Sequence, residues 1–251
     1  MRVSSRASRA LFLATSLVAA SAAHAQTPTA DQIIAKYVDA IGGKSAIVAL
    51  SSMRQTGTME MPAMGMSMEM EVAAATPNKR VTKMVIPGMG EMMQGYDGKT
   101  AWAMDPMQGP RVLKDKELTQ LMEQADFSSE MLKSASNFKA IEVQGQEAFE
   151  GQQAWKVKFT RPSGNVTTEF FAVDSGLLLG SVTTQSSPMG ELEARSVLSD
   201  YKAYGPVKLP GKIAITAGPQ QMTMTTKSVT FNDVPDTAFA LPEAIKALVK
   251  P

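Results

Sequence analysis

Six of the twelve residues from Met59 to Met70 are methionine, and they alternate along the chain. Met59 and Met61 lead up to Pro62-Ala63, and Met64, Met66, Met68 and Met70 lead away from it. A thioether has no proton to give and no charge, so the chemistry open to it is narrow. It offers a soft, deformable apolar surface, or it binds a soft metal ion such as Cu(I). Successive side chains in a strand point to opposite faces. In extended chain each arm therefore turns its methionines to one side, and Glu60, Glu69 and Glu71 to the other. A hairpin closing across Pro62-Ala63, or across Pro62 to Gly65, sets Met59 and Met61 opposite methionines of the second arm. A rigid core favours branched residues with fixed rotamers, so a methionine sheet suits a flexible, variable guest. Ordinary core packing is the plain alternative for the ladder, and a Cu(I) site built on Met61, Met64 and Met66 is another.

Composition narrows the other chemistry. The chain has no cysteine and one histidine, His24. It opens with Arg2, Arg6 and Arg9, then an apolar run from Ala10 to Ala20, then Ala23-His24-Ala25. That order reads as a secretory signal with a small-residue cleavage site, and the apolar run is too short to span a bilayer. Cleavage after Ala25 is expected, leaving residues 26–251 as one domain in the periplasm. His24 leaves with the signal. Without His or Cys there is no Ser-His-Asp triad, no cysteine nucleophile and no His- or Cys-ligated zinc. Loss of the three arginines takes the formal charge from +1 to −2. No basic patch stands out, so nucleic acid is not an expected partner. Gly43-Lys44-Ser45 resembles the end of a phosphate loop, but Val38 stands where the loop needs glycine. Ser136 and Lys139 have the S-x-x-K spacing without its companion motifs. A non-enzymatic protein with no cofactor is expected.

The elements that must position the methionines can be read in outline. Thr29 and Gln32 fit a capping box, and Ile33, Ile34, Tyr37, Val38 and Ile41 form one helical stripe. Gly42-Gly43 ends that helix. From Met53 onward short strands alternate with turn signals, among them Pro77-Asn78 and the strong hairpin dipeptide Asp97-Gly98. The segment from Asp115 to about Ala135 interrupts with a helical stripe of Leu118, Leu121, Met122 and Ala125. Strands then resume near 137–144, 153–161, 166–173, 177–184, 191–201, 208–217 and 221–231. The fold class is mainly β, with about 11–12 antiparallel strands and two helical pieces.

Several local motifs occur in a familiar order. Asp97-Gly98-Lys99-Thr100-Ala101-Trp102 forms a D-G-K-T-x-W hairpin, Thr76-Pro77-Asn78-Lys79 a turn before the third strand, and Phe170 to Leu177 a strand-turn-strand ending in D-S-G-L. In these motifs and in layout the chain resembles the periplasmic outer-membrane lipoprotein carrier and lipoprotein-sorting superfamily (LolA/LolB-like). The resemblance implies a half-open antiparallel β-barrel with a helical lid, its concave face holding the acyl chains of a lipid or lipoprotein. It implies a cavity lined by Met59, Met61, Met64, Met66, Met68, Met70, Met84, Met92 and Trp102. It places Ile34, Val38, Leu118, Leu121 and Met122 on the lid. It further implies carriage between a membrane donor and an acceptor, or lipid sensing for a protein partner. One departure matters. The carriers have an arginine immediately before the turn proline that bonds to the lid, and here the residue is Thr76. Threonine lacks the fork of donors that arginine supplies, so the latch must be absent or built differently.

Overall fold

The computed structural model describes residues 27–187 and 190–249. The signal segment, His24 and the expected cleavage point lie outside the described residues. Helix α1 (Ala30–Ala40) starts at the capping box: the Thr29 hydroxyl accepts from the Gln32 amide, and the Gln32 side chain accepts from the Thr29 amide at 2.9 Å. Gly43 ends the helix by donating its amide to the Val38 carbonyl at 2.8 Å. A one-turn helix, α2 (Lys44–Val48), leads into the first meander.

That meander runs through β1 (Ser52–Met61), β2 (Met66–Ala75), β3 (Lys79–Ile86), β4 (Gly90–Tyr96), β5 (Ala101–Asp105) and β6 (Gly109–Val112). Helices α3 (Asp115–Ala125) and α4 (Phe127–Leu132) follow. A second meander comprises β7 (Ala140–Phe149), β8 (Gln152–Thr160), β9 (Val166–Ala172), β10 (Leu178–Ser187) and β11 (Gly190–Ser199). The short pair β12 (Lys202–Tyr204) and β13 (Val207–Leu209) leads to β14 (Lys212–Ala217), β15 (Gln220–Phe231) and helix α5 (Glu243–Leu248).

Thirteen strands form one antiparallel sheet in the order β6-β5-β4-β3-β2-β1-β15-β14-β11-β10-β9-β8-β7. Strands β6 and β7 are its two edges, so the sheet is not closed into a barrel. The half-open, mainly β expectation is borne out, and the strand count is corrected from about 11–12 to thirteen in this sheet. Strand β6 was missed because Gly109-Pro110 reads as a turn. Proline is tolerated there because an edge strand needs no second ladder. The strand expected over 208–217 breaks at Pro210-Gly211, which leaves β13 paired with β12 in a separate ribbon.

The two faces of the sheet are covered differently. On the inner face, Tyr37 of α1 meets Phe171 of β9 edge-on, with ring centroids 5.4 Å apart. Helix α4 adds Phe127 to the same core, and α3 sets Leu121 and Ala125 against Tyr96, Ala101 and Ala103. On the outer face, Phe239 and Ile245 near the C-terminus pack on Ala73, Val81 and Trp102. No helix among the described residues is long and apolar enough to cross a membrane.

Candidate functional site

Register decides which side chains share the inner face. Met59 pairs with Met68 and Met61 with Met66 across the β1–β2 hairpin. Met70 pairs with Met84 on β3, and Met84 with Met92 on β4. Seven methionines predicted for the cavity thus lie on one continuous floor. Met68 and Met70 are buried, and Met59, Met61, Met66, Met84 and Met92 are half-buried. Glu60, Glu69 and Glu71 alternate with them and take the outer face, where Glu69 pairs with Lys227 at 2.7 Å. The polar and apolar sets are separated by the pleat alone.

Two predicted residues are not on this floor. Met64 sits in the tight turn Pro62–Met64 between β1 and β2, 61% exposed. Trp102 pairs with Gly95, which shares the outer face with Val81, and it is buried there beside Phe239 and Ile245. A side chain on Gly95 would meet Trp102 Cζ2 at 2.7 Å, so the glycine makes room for the indole. Its placement is corrected from cavity wall to outer core, because the Asp97-Gly98 hairpin fixes a register that turns Trp102 away from Met92.

Strand β15 adds residues that the sequence reading passed over. It lies on the other side of β1 and sets Met224 opposite Met59, with Met222 two residues along on the same face. Across β14, Ile213 pairs with Met224 and Ile215 with Met222. The Met-x-Met spacing of residues 222 and 224 was the available signal. It repeats the pattern of the first hairpin, but nothing local says that β15 adjoins β1.

The lid lies over the neighbouring part of the floor. Of the residues assigned to it, Val38 and Leu121 are buried, Ile34 and Leu118 are half-buried, and Met122 faces solvent at 46% exposure. A cleft of about 330 Å³ opens between lid and sheet, within the range that holds small apolar ligands. Its walls are Glu123, Gln124, Phe127, Glu130 and Met131 from the α3–α4 segment, and Leu209 and Pro210 at the end of β13. Its floor includes Met53, Gln55, Arg80 and Ile213. The predicted methionines do not line the cleft; they extend its floor. Met53 and Gln55 precede Met59 on the same face of β1, and Ile213 pairs directly with Met224.

The Thr76 hydroxyl donates to the Ser51 carbonyl at 3.2 Å rather than to the lid. Two other arginines reach the lid instead. Arg80 donates to the Gln124 carbonyl at 3.5 Å, and burial lowers its pKa from the ordinary value. Arg161, at the end of β8, pairs with Glu130 at 2.6 Å and Glu123 at 3.7 Å. Ser163 and Asn165 also donate to the Glu123 carboxylate, at 2.5 and 3.0 Å. The α3–α4 segment is therefore tied to the β8–β9 turn by charge, while its packing on the sheet is apolar.

The far end of α4 is fixed by a buried ion pair. Lys133, in the left-handed conformation that ends the helix, donates to Glu169 of β9 at 2.7 Å. Both side chains are about nine-tenths buried, and the second Glu169 oxygen has no hydrogen-bond partner. Burial, and then the Glu169 and Glu130 carboxylates, push the Tyr37 hydroxyl above its ordinary range.

Neither a protein-family model nor any curated protein matches this chain. Solved structures do. A LolA superfamily protein from Nitrosomonas europaea aligns with a TM-score of 0.60 at 12% identity, over 86% of this chain and 99% of that one. A DUF1329 family protein from Desulfovibrio piger gives 0.59 at 10% identity, over 85% and 98%. A domain from Vibrio parahaemolyticus assigned to outer membrane lipoprotein sorting gives 0.56 at 11%, over 83% and 95%. At such identities the likeness is one of fold: the chain has the LolA-like fold, and the resemblance read from its motifs is borne out at that level.

Proposed function

We propose that the protein is a periplasmic carrier: a single LolA-like unit, exported by its cleaved N-terminal signal, that holds one acyl chain of a lipid or lipoprotein on the methionine floor beneath the α3–α4 lid. The observation that carries this reading is the methionine floor beyond the lid cleft, which crosses β4, β3, β2, β1 and β15 to Ile213 and Ile215 of β14, with the carboxylates of these strands turned outward. The Nitrosomonas and Vibrio proteins share the fold and are described by superfamily and sorting role, which agrees with such a role here. Holding an acyl chain requires no bond to be made or broken. Each buried CH₂ contributes about 0.8 kcal/mol, so a dozen methylenes give roughly 10 kcal/mol before ordering costs are subtracted. Methionine suits the task because its three rotatable bonds let the floor conform to chains of different length.

The test is direct. Protein prepared without detergent from membrane-containing lysate is expected to carry a lipid visible by native mass spectrometry, and delipidated protein to bind a fluorescent fatty acid. Protein that is empty on isolation and ignores both fatty acids and lipopeptides rules the carrier out.

The lid makes a kinetic prediction. Arg161→Ala leaves Glu123 and Glu130 without their cation and loosens α3–α4 from the β8–β9 turn. Hydrogen bonds to charged groups are worth roughly 1.5–3 kcal/mol, so cargo release is expected to accelerate about ten- to a hundredfold. Stopped-flow displacement of a bound acyl probe measures this, and an unchanged rate shows that the pair does not hold the lid.

A further inference from the structure

We propose that the floor also holds a site for one soft monovalent metal ion, Cu(I) or its analogue Ag(I), built from the thioethers of three strands. The observation is a row fixed by register. Met59 has Met68 directly opposite it on β2 and Met224 directly opposite it on β15. Met61 and Met66 face each other in the next row, with Met222 beside them on β15. Side chains directly opposite in an antiparallel pair have Cβ atoms about 4.5–5.5 Å apart. A methionine sulfur lies two bonds beyond Cβ on a freely rotating stem. Met68 and Met224 can therefore lean over Met59 from both sides and bring three sulfurs to one ion. This trio differs at every position from the Met61, Met64 and Met66 set suggested by the sequence alone: Met64 lies exposed in the turn, Met61 and Met66 form the next row, and the third sulfur, Met224, comes from the far end of the chain.

The surroundings fix the kind of metal. The carboxylates of these strands, Glu60, Glu69 and Glu71, project from the opposite face, so no carboxylate from this hairpin meets the row. Hard cations need oxygen ligands, and thioethers select Cu(I) among the first-row metals. Met68 is buried, and Met59 and Met224 are half-buried, so solvent competes little for the ion.

The experiment is an anaerobic titration of the full chain with Cu(I) against a chromophoric Cu(I) chelator, alongside Zn(II) and Cu(II). One Cu(I) bound with micromolar or tighter affinity, and no comparable uptake of the other two, is expected. Met59→Leu and Met224→Leu keep size and hydrophobicity but remove a sulfur, and each is expected to weaken Cu(I) at least about tenfold, or about 1.4 kcal/mol. X-ray absorption of the loaded protein should report sulfur-only neighbours. Binding weaker than micromolar, or leucine variants that bind Cu(I) as the parent does, overturns the proposal. The unsubstituted protein is titrated separately with Cu(I) and with the fluorescent fatty acid, so this site and the acyl reading stand or fall separately.

Discussion

Replacing Met59 and Met84 with aspartate is expected to abolish acyl binding while leaving the sheet intact. Both residues are half-buried and lie on different strands of the floor, neither inside the helix-covered core. In the unliganded protein each new carboxylate keeps part of its hydration, so the fold loses on the order of 1–3 kcal/mol. A docked acyl chain removes that hydration. The effective cost of burying an unpaired charge is several kcal/mol, more than the surplus that remains after ordering costs. The fluorescent fatty acid should bind at least about a hundredfold more weakly, or about 2.8 kcal/mol, with the far-ultraviolet dichroism unchanged. Met59→Leu with Met84→Leu serves as the control and should bind normally, since the reading needs hydrocarbon and not sulfur. If the aspartate pair binds like the parent, the cargo lies elsewhere, the lid cleft being the first place to look.

Glu169→Leu should be the most destabilising single change at the lid. It leaves Lys133 charged and enclosed against Phe159, whose ring centroid lies 5.8 Å from the ammonium. Removing one partner of a buried pair costs roughly 3–5 kcal/mol. For a chain of this size each kcal/mol shifts Tm by about 2–4 °C, so a fall of about 10 °C is expected in calorimetry. The double change Lys133→Met with Glu169→Leu should recover most of this, because replacing both partners removes the desolvation of both charges. The recovery should be large because the native pair is incompletely satisfied, with one Glu169 oxygen unpartnered. Since this pair anchors the end of α4 to β9, the double variant also asks whether apolar contact alone can root the lid. A neutral Glu169→Leu would show that the charge is not enclosed.

How far the site could be read depended on the range of the interaction behind each feature. The capping box at Thr29 and Gln32 and the turn at Asp97-Gly98 are settled within a few residues, and both stand as read. Asp97 accepts from the Lys99 and Thr100 amides at 2.8 and 2.6 Å, a pattern complete within its own turn. Met122 belonged to the helical stripe by spacing, yet α3 rotates so that Leu121 and Ala125 take the sheet. A stripe four residues wide leaves that rotation open until the partner surface is known. The substitute for the arginine missing at Thr76 was invisible. Arg80 and Arg161 become lid contacts only because the sheet brings them under α3 and α4.

The alternation of methionine with glutamate was enough by itself to segregate them onto opposite faces, because the strand repeat of two is a property of the backbone. It left the β1–β2 register open between closures across Pro62-Ala63 and across Pro62 to Gly65, and the folded chain takes the longer one, with Met61 opposite Met66. What lies beside that hairpin was decided only by the tertiary structure. The pairing of β15 with β1, the outward turn of Trp102 and the meeting of Lys133 with Glu169 each join segments whose neighbours are chosen by the packing of the whole sheet. No local repeat encodes those choices, so the sequence supplied the surface and the fold supplied what that surface faces.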